Sequence, residues 1–295
     1  MVIDITFNQK VEVIKTVREI AAQTCMQTFQ HVLKYKNKIS EYKFINFWNI
    51  LMYKSHKIIG FWYQPPPNGT SALFFDNKHI SRANYDNLRG KEYWPNKQIF
   101  LRLNGGGYVF SSPYYLLNDI PLIGDFGFSF YLGNDSMIKE HYRRCMKLLG
   151  SIIQIIEPGM KFSKLYKTCI DLMQNNGYAN LISSSTDQSG TNIGHTIPFL
   201  DSDLHPADLQ DINSKNSGKI NNLISNKRIF INENSDYVIS NNCSFTFEPR
   251  FTSLTNKKLP MFSLHQIVLF VDSRKEILAN FTGIIKLLDM QWIYS

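Results

Sequence analysis

Hydrophobic spacing along the chain alternates between two periods. Over residues 11–33, Val13, Val17, Ile20, Ala21, Thr24, Thr28 and His31 fall near i, i+3, i+4 and i+7 with charges between them, which predicts a long amphipathic helix. Ser40-Glu41 supplies an N-cap and restarts a helix that carries Phe44, Phe47, Trp48 and Leu51 on one side. Gly60 and Pro65-Pro66-Pro67-Asn68-Gly69 close this unit, because the prolines remove donors and fix φ. From 71 to 131 the pattern turns to strands and turns. Residues 99–103 predict a strand, and Gly105-Gly106-Gly107 a turn or bulge ahead of Tyr108-Val109-Phe110. A phosphate cradle is the poorer reading of the triple glycine, since neither Lys-Ser nor a helix start follows it.

Helical spacing returns over 136–156 with Tyr142, Met146, Leu149, Ile153 and Ile156. Glu157-Pro158-Gly159-Met160 breaks it, and a second helix over 162–174 ends at Asn176-Gly177. Long helix, turn, shorter helix, then strands thus occurs twice, with residues 39–45 and 160–166 in equivalent places. We read an internal duplication, with halves of about 11–131 and 136–290 inside one domain of residues 1–295. Residues 207–226, rich in Asn, Asp, Ser and Lys, predict an exposed loop. Strands are expected at 228–231, 244–248 and 266–271, the last apolar enough to be central, with 272–276 as the turn leaving it.

Composition narrows the function classes. At 295 residues and 43% hydrophobic content, the chain can bury a large core. A formal charge of +8 raises the question of an acidic partner, but the basic residues are scattered. The clusters are Arg143-Arg144, Lys257-Lys258 and the run Lys34, Lys36, Lys38, and no base-reading motif accompanies them, so nucleic acid is not expected as a partner. Cys25, Cys145, Cys169 and Cys243 form no Cys-x-x-Cys pair and read as reduced structural thiols. The opening Met1-Val2-Ile3-Asp4-Ile5 carries no leader pattern, and no apolar run approaches the length of a membrane span. A soluble cytoplasmic protein without membrane contact is the expectation.

Two stretches carry candidate chemistry. Ser189-Gly190-Thr191-Asn192-Ile193-Gly194-His195-Thr196-Ile197-Pro198 sets a histidine directly after glycine, where backbone and imidazole can both approach a ligand. Cys243-Ser244-Phe245-Thr246-Phe247-Glu248-Pro249-Arg250 alternates, so Glu248 falls opposite the phenylalanines. The aromatic run Phe61-Trp62-Tyr63 reads as core or interface rather than pocket wall.

These pieces, in this order, resemble the pita-bread fold family of methionine aminopeptidase, aminopeptidase P and creatinase. The matching segments are Glu157-Pro158-Gly159-Met160 with Leu165 and Asn176-Gly177-Tyr178, then Ile193-Gly194-His195-Thr196-Ile197, Phe245-Thr246-Phe247-Glu248-Pro249, and Val268-Leu269-Phe270-Val271 with its charged turn. The resemblance implies an α+β fold: two pseudo-twofold halves, each a helix pair on a curved antiparallel sheet, with the site on the concave face. In the family's peptidases two aspartates, one histidine and two glutamates hold a pair of divalent metals. The histidine falls on His195 and one glutamate on Glu248. The aspartates fall on Asn104 and, eleven residues on, Tyr115, and the last glutamate on His265. An amide and a phenol replace two carboxylates, so a dinuclear site is not expected.

The resemblance leaves open a metal-free enzyme, as in creatinase, or a single divalent Fe or Zn held by His195, Glu248 and His265. A non-catalytic binding module, as in a histone-chaperone subunit with a related domain, is open too. We expect a divergent enzyme acting on a small polar amine, amide or amino-acid derivative, with His195, Glu248 and His265 as catalytic residues. Asn104, Tyr115, His79 near Asp76, and His205 in Asp203-Leu204-His205-Pro206 are the expected substrate contacts, and a homodimer is the expected assembly.

Overall fold

The computed structural model describes residues 5–35, 39–64, 66–76, 79–201 and 204–295. Expectations that touch Met1 to Asp4, Lys36, Lys38, Pro65 or Asp203 lie outside the described residues.

Helix α1 (Phe7–Leu33) starts at a reciprocal cap: the Thr6 hydroxyl accepts from the Gln9 amide at 3.3 Å while the Gln9 side chain accepts from the Thr6 amide at 2.9 Å. Its stripe of Val17, Ala21, Cys25, Phe29 and Val32 is buried. Ser40 caps α2 (Glu41–Lys54), whose Phe44, Trp48 and Met52 pack back onto α1. The Trp48 indole donates to the Ala21 carbonyl at 3.2 Å, so this large ring is buried without stranding its N–H. In the second half Asp135 caps α3 (Ser136–Gln154), and α4 (Phe162–Asn175) follows.

All strand pairs are antiparallel. Among the described residues β2 (Thr70–Phe75), β3 (Gly106–Ser111) and β6 (Phe126–Tyr131) form one sheet in the order β2-β3-β6. Strand β1 (Gly60–Phe61) and the hairpin β4 (Pro113–Leu117) and β5 (Ile120–Ile123) form a separate sheet in the order β1-β4-β5, packed along α1. The second half pairs β7 (Tyr178–Ala179) with β9 (Thr252–Ser253) and places β8 (Cys243–Phe247), β10 (Gln266–Val271) and β11 (Arg274–Leu278) in the order β11-β10-β8. A bridge between Phe128 and Leu264 joins the two halves at the centre. Phe162 at the start of α4 packs on Phe245 of β8 with ring centroids 5.2 Å apart, the counterpart of Phe44 of α2 on Phe74 of β2 at 5.6 Å. The α+β layout that the resemblance implied is therefore present, with a helix pair on each half.

Five local expectations are corrected. Residues 99–103 form no strand, only a bridge from Phe100 to Ser40, and Gly106 and Gly107 lie inside β3 rather than in a turn. A Cβ on either glycine would press on Phe130 or on the Leu73 carbonyl, so the glycines serve close strand packing. Residues 207–226 carry α5 (Pro206–Asn213) and α6 (Ser217–Asn226), which bury Ile212, Ile220, Leu223 and Ile224. Residues 228–231 contribute a bridge at Phe230 rather than a strand, and the turn after β10 is only Asp272 and Ser273, since β11 begins at Arg274. The four cysteines are free and buried. Among the described residues no helix is long and apolar enough to cross a membrane.

Arg18 ties the layers together. Its side chain is fully buried on α1, and its guanidinium donates to the carbonyls of Asp125, His265 (2.6 Å) and Ala279 (2.8 Å), which come from three segments far apart in sequence. Phe126 and Phe281 cover the cation at 4.6 and 5.2 Å. Arg18→Met keeps most of the volume and leaves those carbonyls buried without a donor, so we expect a loss of about 3 kcal/mol or more in urea unfolding. A loss under about 1 kcal/mol would mean that the carbonyls find other donors.

Candidate active site

The segment around His195 is held on both flanks. The Ile193 and Thr196 amides donate to the Ile231 and Ile229 carbonyls, while the Ile197 and Thr246 amides pair it with β8. Gly194 makes this close approach possible: its φ is +142°, and a Cβ there would collide with the Thr246 carbonyl. His195 thereby sits beside Glu248, which follows β8 and donates its amide to the Ile193 carbonyl at 2.9 Å. His265 precedes β10, and its amide donates to the Gly127 carbonyl at 2.9 Å.

His195, Glu248 and His265 line one cavity of about 60 Å³. Asp125, Arg228 and Arg250 line it too, and all six are buried. Trp62 and Tyr63, read from the sequence as core or interface, also form its wall. The indole of Trp62 donates to Asp125 Oδ1 at 2.7 Å and stands edge-on to the His195 ring. Larger hollows of about 820 and 880 Å³ lie along α3 and open to solvent, away from these residues.

The other expected contacts do not reach the cavity. Asn104 is exposed in the turn just before β3, which begins at Gly106, two residues earlier than the glycine turn implied. Tyr115 lies in the β4–β5 hairpin and packs toward the main core. His205 is exposed at the start of α5, and His79 pairs with Asp76 at 2.9 Å on the surface. The residue that does enter is Asp125, between β5 and β6. Its signal in the sequence was a lone acid in Gly124-Asp125-Phe126-Gly127, at the head of an alternating aromatic strand.

Glu248 and Arg250 dominate the electrostatics. Arg250 Nη2 donates to Glu248 Oε2 at 2.8 Å, Nη1 to the Glu248 carbonyl at 3.0 Å, and Nε to the Tyr85 hydroxyl at 3.1 Å. His265 Nε2 approaches the same Oε2, and Tyr108 OH lies 2.8 Å from that nitrogen. Burial alone would lift the Glu248 carboxyl, but the contacts of His265 and Arg250 to its oxygen outweigh that and hold it far below the usual carboxylate range. Burial pushes the His265 imidazole below its ordinary value against the pull of Glu248, so Arg250 is the cation that balances the carboxylate.

On the other side of the cavity His195 and Asp125 are held toward their neutral forms. Burial, with repulsion from Arg228, brings His195 down to about 3. Its Nδ1 faces the Thr196 carbonyl at 2.9 Å and so carries the proton, which leaves the Nε2 lone pair toward Asp125 Oδ2 at 3.6 Å, beyond hydrogen-bond reach. Burial raises Asp125 to about 8, with the Trp62 hydrogen bond opposing.

This donor set does not suit a metal. The Nε2 of His265 and the guanidinium of Arg250 both direct N–H groups at the Glu248 oxygen that a cation would need. Among the described residues, no three His, Cys, Asp or Glu side chains gather as a metal-binding group.

The sequence model of metallopeptidase family M24 matches residues 118–270, just over half of the chain. The chain belongs to metallopeptidase family M24. Solved structures agree on the fold: X-Pro aminopeptidase from Thermotoga maritima MSB8 superposes with a TM-score of 0.62 at 14% identity, over 95% of this chain and 62% of that one. Prolidase from Pyrococcus furiosus gives 0.62 at 14%, over 92% and 64%. Methionine aminopeptidase from Rickettsia prowazekii gives 0.60 at 13%, over 93% and 98%. The M24 chain thus spans under two thirds of the first two relatives and nearly all of the third. No curated protein matches its sequence. The pita-bread resemblance drawn from the motifs is correct at the level of family and fold.

Asp125 provides a pH test. A carboxyl whose folded pKa lies above its unfolded value binds a proton on folding, so its contribution is complete at low pH and is lost as pH rises through about 8. Asp125→Asn removes that dependence. In urea titrations the stability of the wild type relative to Asp125→Asn should therefore increase as pH falls from about 9 to about 5; a flat difference would place the Asp125 pKa in the ordinary range.

Proposed function

We propose that this M24 chain is a metal-independent binding protein for a small polar ligand, in which a guanidinium occupies the charge role that metals fill in the family's peptidases. The observation that carries this reading is the buried Arg250 to Glu248 contact, 2.8 Å long, with His265 on the same oxygen. Hydrolysis by the family's metal route needs a cation that polarises a carbonyl and activates water, and here the relevant lone pairs already receive protein N–H groups. The cavity, about 60 Å³, is far smaller than an ordinary ligand pocket and takes a small polar group rather than a peptide.

A second reading has its own support. Neutral His195 keeps an Nε2 lone pair free of hydrogen bonds among the described residues, with a carboxyl 3.6 Å away. That pair could move a proton on a small ligand without metal. On this reading His195 acts as the base, Asp125 returns the proton, and Arg250 with Glu248 holds the ligand's polar end.

The test is calorimetric titration with Mn²⁺, Co²⁺ and Zn²⁺, alongside an Xaa-Pro dipeptide hydrolysis assay. The proposal expects no saturable metal binding that depends on Glu248 and no hydrolysis above buffer. Two equivalents of metal, bound by the wild type and lost in His195→Ala, would restore a dinuclear peptidase. Turnover of a small amide that disappears in His195→Gln, with its binding retained, would favour the second reading.

A further inference from the structure

Beyond the Glu248 pair, the cavity continues into a second space of about 60 Å³ that shares Ser183, His195, Arg228, Glu248 and Arg250 and adds Arg89, Ser184 and Ser185. Three guanidiniums face this space against one carboxylate, and that carboxylate is already bonded to Arg250. Arg228 is buried, with 8% exposure, and is clamped between the faces of Trp62 and Phe230 at 4.5 and 4.7 Å. Its hydrogen bonds go to neutral oxygens, Nε to the Ser225 carbonyl at 3.2 Å and Nη2 to the Thr186 hydroxyl at 3.3 Å. Arg89 at the rim lies over the Tyr63 ring at 4.3 Å and donates to the Gln64 carbonyl. Neither arginine has a direct hydrogen bond or ion pair to a carboxylate among the described residues, and Asp125 and Glu248 act on Arg228 only through space.

A guanidinium buried without a counter-ion is costly, and a stacked planar fork is the geometry that takes an oxyanion two hydrogen bonds at a time. We infer that this outer space is an oxyanion subsite, in which Arg228 and Arg89 receive the phosphate or carboxylate of the small ligand while its polar remainder points at His195. The inference rests on the small-ligand reading above and assigns that ligand an anionic end. The serine-rich segment 183–185 with Thr186 supplies short hydroxyl donors around the same space, which suits an anion's remaining lone pairs.

The experiment is titration calorimetry with inorganic phosphate and, separately, succinate, at low ionic strength and in the presence of a chelator. The wild type should bind one of them saturably, and Arg228→Gln and Arg89→Gln should each weaken binding at least about ten-fold, near 1.4 kcal/mol. Arg143→Gln on α3, which pairs with Glu140 away from the cavity, should leave it unchanged. Tighter phosphate binding assigns a phosphate ester and tighter succinate binding a carboxylate. If circular dichroism shows that Arg228→Gln does not fold, Arg89→Gln decides alone. No saturable binding, or equal binding in the arginine variants, overturns the subsite while leaving the metal titration above unaffected. Binding seen only without chelator overturns the metal-independent reading instead.

Discussion

A carboxylate removed from water needs a cation within hydrogen-bond reach, and in this chain that cation is Arg250. Glu248 is buried beside two histidines that burial keeps from charging readily, so the guanidinium is its durable counter-ion. Removing either partner would leave an uncompensated charge in a cavity walled by Trp62, Tyr85 and Phe110. In the family's peptidases bound metals meet the same electrostatic need. A guanidinium can hold an oxygen but cannot generate hydroxide from bound water at neutral pH, and for that reason the function proposed above is ligand binding rather than metal-dependent hydrolysis.

The scaffold around this pair is rigid because backbone fixes each functional side chain. The His195 segment pairs on both flanks, Glu248 leaves β8 with its amide bonded to Ile193, and His265 enters β10 from a bond to Gly127. Arg18 reaches from α1 to the carbonyls of Asp125 and His265, so the first helix also sets the distance between the two halves at the cavity floor. Gly127 belongs to the same arrangement, since a Cβ there would press on the Tyr108 hydroxyl and the His265 ring. These contacts connect helix packing to site geometry without any charged group reaching solvent.

Much of the fold was legible because helical spacing over 11–33 and 136–156 and the apolar run 266–271 each have a single sensible reading. Residues 207–226 misled because their polar composition hides Ile212, Ile220, Leu223 and Ile224, whose burial depends on packing rather than on local pattern. His195 and Glu248 stood out through a preceding glycine and strand alternation. Asp125 was missed because the count of eleven residues started at Asn104, which is exposed before β3, and so ended at Tyr115, ten positions short of the acid that enters the cavity. Arg228 and Arg250 gave no signal as a pair. Twenty-two positions separate them in the chain, and only the fold brings both to one cavity.

The most direct measurement is a crystal structure of the protein grown with excess Mn²⁺, with anomalous diffraction recorded near the manganese edge. The account predicts a planar Arg250 guanidinium bonded to Glu248, with His265 on the same carboxylate, and no anomalous peak within bonding distance of His195, Glu248 or His265. An anomalous peak ligated by Glu248 and either histidine, with Arg250 turned away, would contradict it.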